Sequence, residues 1–473
     1  MSTLLTTEAT ETATETAIAA TSAAMEQTVD QAVTAQALML DQTDKQLDSV
    51  ISKIAYLVDC ELAEFALLEA QETKLGNVKD KQHKLSLVVN QVCQDLVGTV
   101  TGGRLDKQAN NQQANAAVTE YASPVGIIFA VIPMTNPIPN SLYKILNAIK
   151  TRNALIISYP RLAVSVGAKL IALVQDVLKA AGLPPQLIQS VPLPSDRVKV
   201  SQFMQHPKVD LILATGGQGL VKAALSSGTP AYAVGPGNVP AIICNDAPLE
   251  ATAEAIIQSK SYDNGIICGS ESALIVERNI ALSFSIQLEK SGAAVLTVAE
   301  KSIATAHWFE APGQLNRTVV GKSAQALANL AGIKRDYEIK MLVIPCLPGE
   351  VVSYGQEKLA PIVAMFTMET EQLIPLAQSV LSMDGSGHTA VVHTQDPAMM
   401  HQCALELPVG RMLVNSPSTF GMMGVSTALP LAFMLGSGSW GGNISTEAIT
   451  WRHLVNIKRL SMHVQDVIVP DVA

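Results

Sequence analysis

No cluster of lysine and arginine occurs along the 473 residues, and the formal net charge is -9. Phosphate backbones are bound by clustered positive charge, so a nucleic-acid partner is not expected. The six cysteines, Cys60, Cys93, Cys244, Cys268, Cys346 and Cys403, lack CxxC spacing. That excludes the usual zinc and disulfide frameworks, so reduced thiols and no metal site are expected. The start, MSTLLTTEATETATETAIAA, lacks a basic stretch followed by an apolar one, the form of a secretory signal. Apolar runs such as VGIIFAVIP are too short to span a bilayer. No membrane partner is expected, and the expected location is cytoplasmic, with enclosure in a protein shell left open.

What is present is a hydrophobic fraction of 48%, enough for a sizeable core divided into two or three lobes. Residues 1–33 are rich in Thr, Ala and Glu with few large apolar side chains, and read as a disordered tail or a docking segment. From Ala35 to Leu96, apolar residues recur at three- and four-residue spacing, the pattern of amphipathic helices. After Pro124, short β-rich runs such as GIIFAVIP, ALIISYP and VDLILATGG alternate with helical ones. This texture predicts βαβ units and parallel sheets covered on both faces. The expected class is α/β, with two Rossmann-like lobes and a small hairpin. Residues 34–106 and 124–243 are assigned to a dinucleotide-binding domain, 244–452 to a catalytic domain, and 107–123 with 453–473 to an oligomerisation hairpin.

Several stretches bear on chemistry. LILATGGQGLVKAA runs from strand to glycine-rich loop to helix, placing Thr215, Gly216, Gly217 and Gly219 where backbone N–H groups can face a phosphate, although such glycines often serve packing alone. IPMTNPIPNSLYK sets Asn136 between two prolines after a buried strand and Pro133, where its amide either donates into a cleft or satisfies its own turn. DNGIICGSES sets Cys268 between an Asn-Gly turn and a Gly-Ser step, a setting for an exposed nucleophile, against the ordinary fate of a free cysteine as a small buried hydrophobe.

The order TNP, TGGQG, VGPGNVP, DNGIICGSE, EKLAP, GSWGGN resembles the aldehyde dehydrogenase superfamily, and within it the CoA-acylating branch that includes the N-terminal half of bifunctional aldehyde/alcohol dehydrogenases. The resemblance runs from about Asp30 to Val455. It implies that Cys268 is the catalytic thiol and that the Asn136 amide joins a backbone N–H in an oxyanion hole. It implies a cofactor cleft at Thr215, Gly216, Gly217, Gly219 and Pro133, and a nicotinamide-ribose contact at Glu357. His388 of SGHTAVVH matches a histidine of the acylating branch and is placed on the cofactor or CoA channel, with a satisfied strand-edge histidine as the alternative. The terminal strand HLVNIKRLSMHVQDVIV and AAVTEYA resemble the family's pairing hairpin, which implies a homodimer or a dimer of dimers.

Two departures from the hydrolytic branch follow from the same comparison. The stretch TPAYAVGPGNVP has no acidic residue where hydrolytic members keep a water-activating glutamate, so coenzyme A is expected as the acyl acceptor. Tyr159 stands where hydrolytic members keep a lysine near the adenosine ribose, with Arg161 beside it, leaving NAD or NADP as the cofactor. The bifunctional relatives continue into a metal-dependent half that this sequence lacks, so an alcohol is not the expected product. NSPSTFGMMGVSTALPLAF offers no Arg or Lys to an aldehyde pocket, which favours a small neutral aldehyde such as acetaldehyde, although Arg411 or Lys144 could reach it from elsewhere. An anionic aldehyde (sulfoacetaldehyde or succinate semialdehyde) and a hydrolytic reaction are the alternatives.

Overall fold

A computed structural model of the protein describes residues 22–105, 118–192 and 196–463. After a short pair, β1 (Gly103–Arg104) and β2 (Val118–Pro124), come β3 (Ile127–Val131), β4 (Ala154–Ser158), β5 (Ile188–Ser190), β6 (Leu211–Thr215) and β7 (Ala231–Val234). These last five form a wholly parallel sheet in the order β5-β4-β3-β6-β7. Their unbroken apolar runs reflect burial on both faces; Ile128, Phe129 and Ala130 of β3 have no exposure. Strand order reverses between β3 and β6, so a crevice opens beyond their carboxyl ends, the usual ligand position in such sheets.

The second lobe holds β8 (Val239–Ile243), β9 (Glu271–Glu277) and β10 (Ala293–Val295), a small ribbon of β11 (Phe309–Ala311) with β12 (Gln314–Leu315), then β13 (Met341–Cys346), β14 (Ile362–Met368), β15 (Gly387–His393) and β16 (Val409–Val414). Its seven-stranded sheet is parallel throughout, in the order β10-β13-β14-β9-β8-β15-β16. Finally β17 (Val455–Ser461) returns to pair antiparallel with β2, from Val455 opposite Pro124 to Ser461 opposite Val118. Leu460 and Met462 at that end are exposed. The rest of the expected hairpin, at 107–117 and 464–473, lies outside the described residues.

Two boundaries differ from expectation. Strand β8 pairs with β9 and β15, so the crossing between lobes falls in the loop 235–238 rather than after residue 243. Both β7 and β8 are short buried apolar runs, and nothing in their composition tells which sheet each joins. The second difference concerns the expected tail: residues 22–37 are helical, and Met25, Val29, Ala32 and Ala35 join the main core. Small residues at helical spacing suffice there because neighbours grip the helix. Gln189 donates to Thr28 O at 3.0 Å, and His206 Nε2 lies 3.3 Å from Glu26. Residues 1–21 lie outside the described part.

Phe129 stacks on Phe203 with centroids 5.3 Å apart, and both rings are fully buried. Phe129→Ala is expected to lower unfolding free energy by ~3–5 kcal/mol in urea titration, the range for emptying a buried aromatic site. A loss below about 1 kcal/mol would contradict this packing.

Candidate active site

The cysteine turn is built by an unusual backbone. Asp263, Asn264 and Gly265 follow one another in the left-handed region, with φ of 45°, 55° and 70°. Two non-glycine residues hold that conformation because their side chains are committed. Asp263 Oδ1 accepts from Asn77 N at 2.7 Å, and Asn264 Nδ2 donates to Gly321 O at 2.9 Å. A Cβ on Gly265 would meet Ala360 O at 2.6 Å, so the turn also needs glycine for space. Cys268 then enters just before β9, half-buried and unpaired with any other cysteine.

Around the thiol the two lobes converge. Gly237, in the crossing loop, lies so close that a Cβ there would sit 2.2 Å from Cys268 O and 3.0 Å from His388 Nδ1. Its N–H donates to Glu357 Oε1 at 3.0 Å. Cys268, Gly237, His388 and Glu357 are therefore one cluster. Burial pushes the Cys268 thiol up to about 12, helped by the Glu357 carboxylate, and opposed by Arg411 and by the Cys268 and Gly269 N–H groups that face the sulfur. Glu357 is itself raised to about 7, chiefly by burial. Behind the turn, the buried Lys260 ammonium donates to Ser270 Oγ at 3.0 Å and Lys358 O at 2.8 Å, joining the cysteine loop to the Glu357 loop.

His388 is 1% exposed and pushed down to about 3 by burial and by Arg411, so its ring is neutral. Its Nδ1 meets Thr389 Oγ1 at 3.0 Å, while Nε2 has no partner. Arg411 is a buried cation satisfied by oxygens rather than by a carboxylate. It donates to His388 O and Gly436 O at 2.8 Å each, to Thr446 O at 3.1 Å and to Thr389 Oγ1 at 3.3 Å.

The remaining motif residues stand at the strand ends of the first lobe. Pro133 lies in the turn leaving β3, and Thr215, Gly216, Gly217 and Gly219 lie where β6 passes into the helix Gln218–Leu225. Thr215 Oγ1 accepts from Lys144 Nζ at 3.4 Å. A Cβ on Gly217 or Gly219 would meet nothing within 4 Å, and neither has a positive φ, so neither glycine is required by packing or conformation. An open backbone at a helix start in the crevice fits a phosphate-bearing cofactor. Tyr159 closes the end of β4 with its ring on Gly167, where a Cβ would come within 2.6 Å.

Asn136 precedes the helix Pro137–Lys150 and makes no side-chain cap to it. Instead Oδ1 accepts a hydrogen bond from Lys84 Nζ, and Nδ2 reaches only Thr135 Oγ1, at 3.4 Å. Lys84 also pairs with Asp263, and Lys81 bridges Asp263 and Glu69 at 3.4 Å and 2.9 Å. These buried charges escaped the sequence reading. Lys81 and Lys84 share a helix face with Leu85, Val88 and Val92, and lysines inside an apolar stripe are the signal that could have found them.

The aldehyde dehydrogenase family model matches residues 5–427. The chain belongs to the aldehyde dehydrogenase family. It is 32% identical over 434 residues to aldehyde-alcohol dehydrogenase 2 of Entamoeba histolytica, covering 89% of this chain and 49% of that one. The chain thus spans about half the length of that relative. It is 30% identical to the acetylating succinate-semialdehyde dehydrogenase of Clostridium kluyveri, covering 93% of this chain and 96% of the relative. An acetylating aldehyde dehydrogenase from Geobacillus thermoglucosidasius superposes with a TM-score of 0.87 at 35% identity, covering 94% of this chain and 97% of that one. Within the family, the chain groups with acylating members.

A thiol pushed up to about 12 is protonated at neutral pH in the free protein. Iodoacetamide labelling of Cys268, followed by peptide mass, is expected to accelerate about tenfold per pH unit between about pH 8 and about pH 10, tracking thiolate. Glu357→Gln removes a charge that disfavours the thiolate, so labelling at fixed pH should quicken. A plateau already reached near neutrality, or slower labelling of the variant, would contradict the assigned electrostatics.

Proposed function

We propose that this acylating dehydrogenase oxidises a small neutral aldehyde through a thioester on Cys268 and passes the acyl group to coenzyme A. The observation that carries the reading is the contact at the crossing loop. The segment lying against Cys268 is Gly237, and the loop 235–238 offers no carboxylate to activate water. Glu357, the carboxyl acting most strongly on the thiol, has Oε1 engaged by Gly237 N–H. A thioester there waits for a nucleophile better than water, and a thiol exchanges with it readily.

In this reading Cys268 releases its proton to solvent and its sulfur attacks the aldehyde carbon, the carbonyl electron pair moving onto oxygen. The oxygen that becomes negative is met by Asn136 Nδ2 and the Cys268 N–H. A nicotinamide cofactor, NAD or NADP, would supply the hydride acceptor; the open backbone N–H groups of Gly217 and Gly219 at the carboxyl end of β6 would hold its phosphates and Glu357 its ribose, and the acyl group would remain on Cys268 as the thioester. The coenzyme A thiolate then displaces Cys268, which leaves as thiolate.

A cavity of about 600 Å³ reaches the cysteine loop at Met422, whose sulfur would lie 1.9 Å from a Cβ on Gly269. Its wall includes Tyr143, Leu431 and Trp451 with two cations, Arg411 and Arg452, and two carboxylates, Asp95 and Glu447. Carbonyls and a hydroxyl engage most of the Arg411 donors, and Asp95 and Glu447 balance the two arginines, so the wall offers no surplus positive charge to an anionic aldehyde. This favours acetaldehyde or propionaldehyde over succinate semialdehyde or sulfoacetaldehyde. Initial rates of NADH and acyl-CoA formation across these four aldehydes should give the neutral pair the higher kcat/KM by at least about tenfold, roughly 1.4 kcal/mol. An anionic aldehyde winning clearly would overturn the preference, and CoA-independent turnover to free acid would overturn the acyl acceptor.

A further inference from the structure

The two turns that carry Cys268 and Asn136 are referred to a single side chain. Lys84, on the helix Val78–Leu87, has no exposed surface and divides its ammonium between Asp263 and Asn136 Oδ1. Asp263 belongs to the cysteine turn itself. Lys81, one turn earlier, holds Asp263 and Glu69, and Glu69 Oε2 in turn accepts from Ile138 N at 3.2 Å, at the start of the helix that follows Asn136. The thiol loop and the amide loop are thus tied to the same buried helix face by bonds spanning residues 69 to 263.

Burial pushes the Lys84 amine down while the Asp263 carboxylate holds it up, and Nζ donates to Asp263 Oδ2 and to Asn136, so the atom of Asn136 that meets it is the carbonyl oxygen. A side-chain amide can otherwise rotate to exchange its two ends, and an oxygen presented to a developing oxyanion would repel it. Among the described residues nothing else on Asn136 enforces the choice: Nδ2 has one long contact and the side chain does not cap its helix. We propose that Lys84 is a positioning residue, which holds the Asn136 carbonyl so that Nδ2 is presented to the aldehyde oxygen at Cys268. The assignment rests on the reading of Asn136 as oxyanion donor.

A mutant cycle on the full chain separates the two. Asn136→Ala is expected to lower kcat by ~10²–10³-fold, the loss typical of one oxyanion donor. Lys84→Met should lower kcat by a similar factor with little change in KM for the nicotinamide cofactor, and should cost nothing further in the Asn136→Ala background. If Asp263, left with Lys81 alone as its cation, prevents that variant from folding, Lys84→Met with Asp263→Asn replaces it in the cycle, with cofactor binding as the check on fold. Losses that multiply in the combined variant, or Lys84→Met with unaltered kcat beside an impaired Asn136→Ala, would overturn the role of Lys84. An unimpaired Asn136→Ala would instead overturn the oxyanion reading, and the assignment to Lys84 with it.

Discussion

Two lysines and two carboxylates, almost wholly out of water, hold the helix Val78–Leu87 against the turns around Asn136 and Cys268. Removing one member of such a group leaves a buried charge uncompensated and costs ~3–5 kcal/mol, whereas the intact group is close to neutral against an apolar replacement. Such a cluster adds little to net stability but penalises any displacement of one turn from the other. The left-handed Asp263 and Asn264 are part of the same constraint, because Asp263 reaches both lysines from that conformation. Electrostatics here fixes geometry, which is what the proposed oxyanion site would require.

The second lobe completes the arrangement by close approach rather than by charge. Gly237 admits the Cys268 carbonyl and the edge of His388 at distances that exclude any side chain, and its N–H fixes Glu357. The crossing between lobes is therefore also a wall of the site. Arg411 adds a positive charge beside the thiol without a counter-anion, while Glu357 opposes it. Burial, more than either charge, pushes the thiol up, with Glu357 adding to it and Arg411 opposing it.

Much of the fold was legible in the sequence. Runs such as ALIIS and LILAT, buried on both faces and separated by helical segments, can belong only to covered parallel sheets, and among the described residues no helix is long and apolar enough to cross a membrane. The residues picked out by motif order stand at strand ends and in the crossing loop, where side chains from distant segments meet. Other features depend on partners far along the chain. The helix at 22–37 looked like a tail up to residue 33 because its buried residues are mostly small, and β8 gave no sign of which sheet it would join. Lys81 and Lys84 of NVKDKQHKLSL find their partners, Glu69 and Asp263, outside that segment.

The central claim is that the acyl group rests on Cys268 until a thiol removes it. Mixing the protein with acetaldehyde and NAD in the absence of coenzyme A, then quenching and mapping peptides by mass, tests this directly. The account predicts a single burst of NADH with one acetyl group on the Cys268 peptide, stable until coenzyme A is added and then recovered as acetyl-CoA. Continued NADH formation with free acetate and an unmodified Cys268 would contradict it.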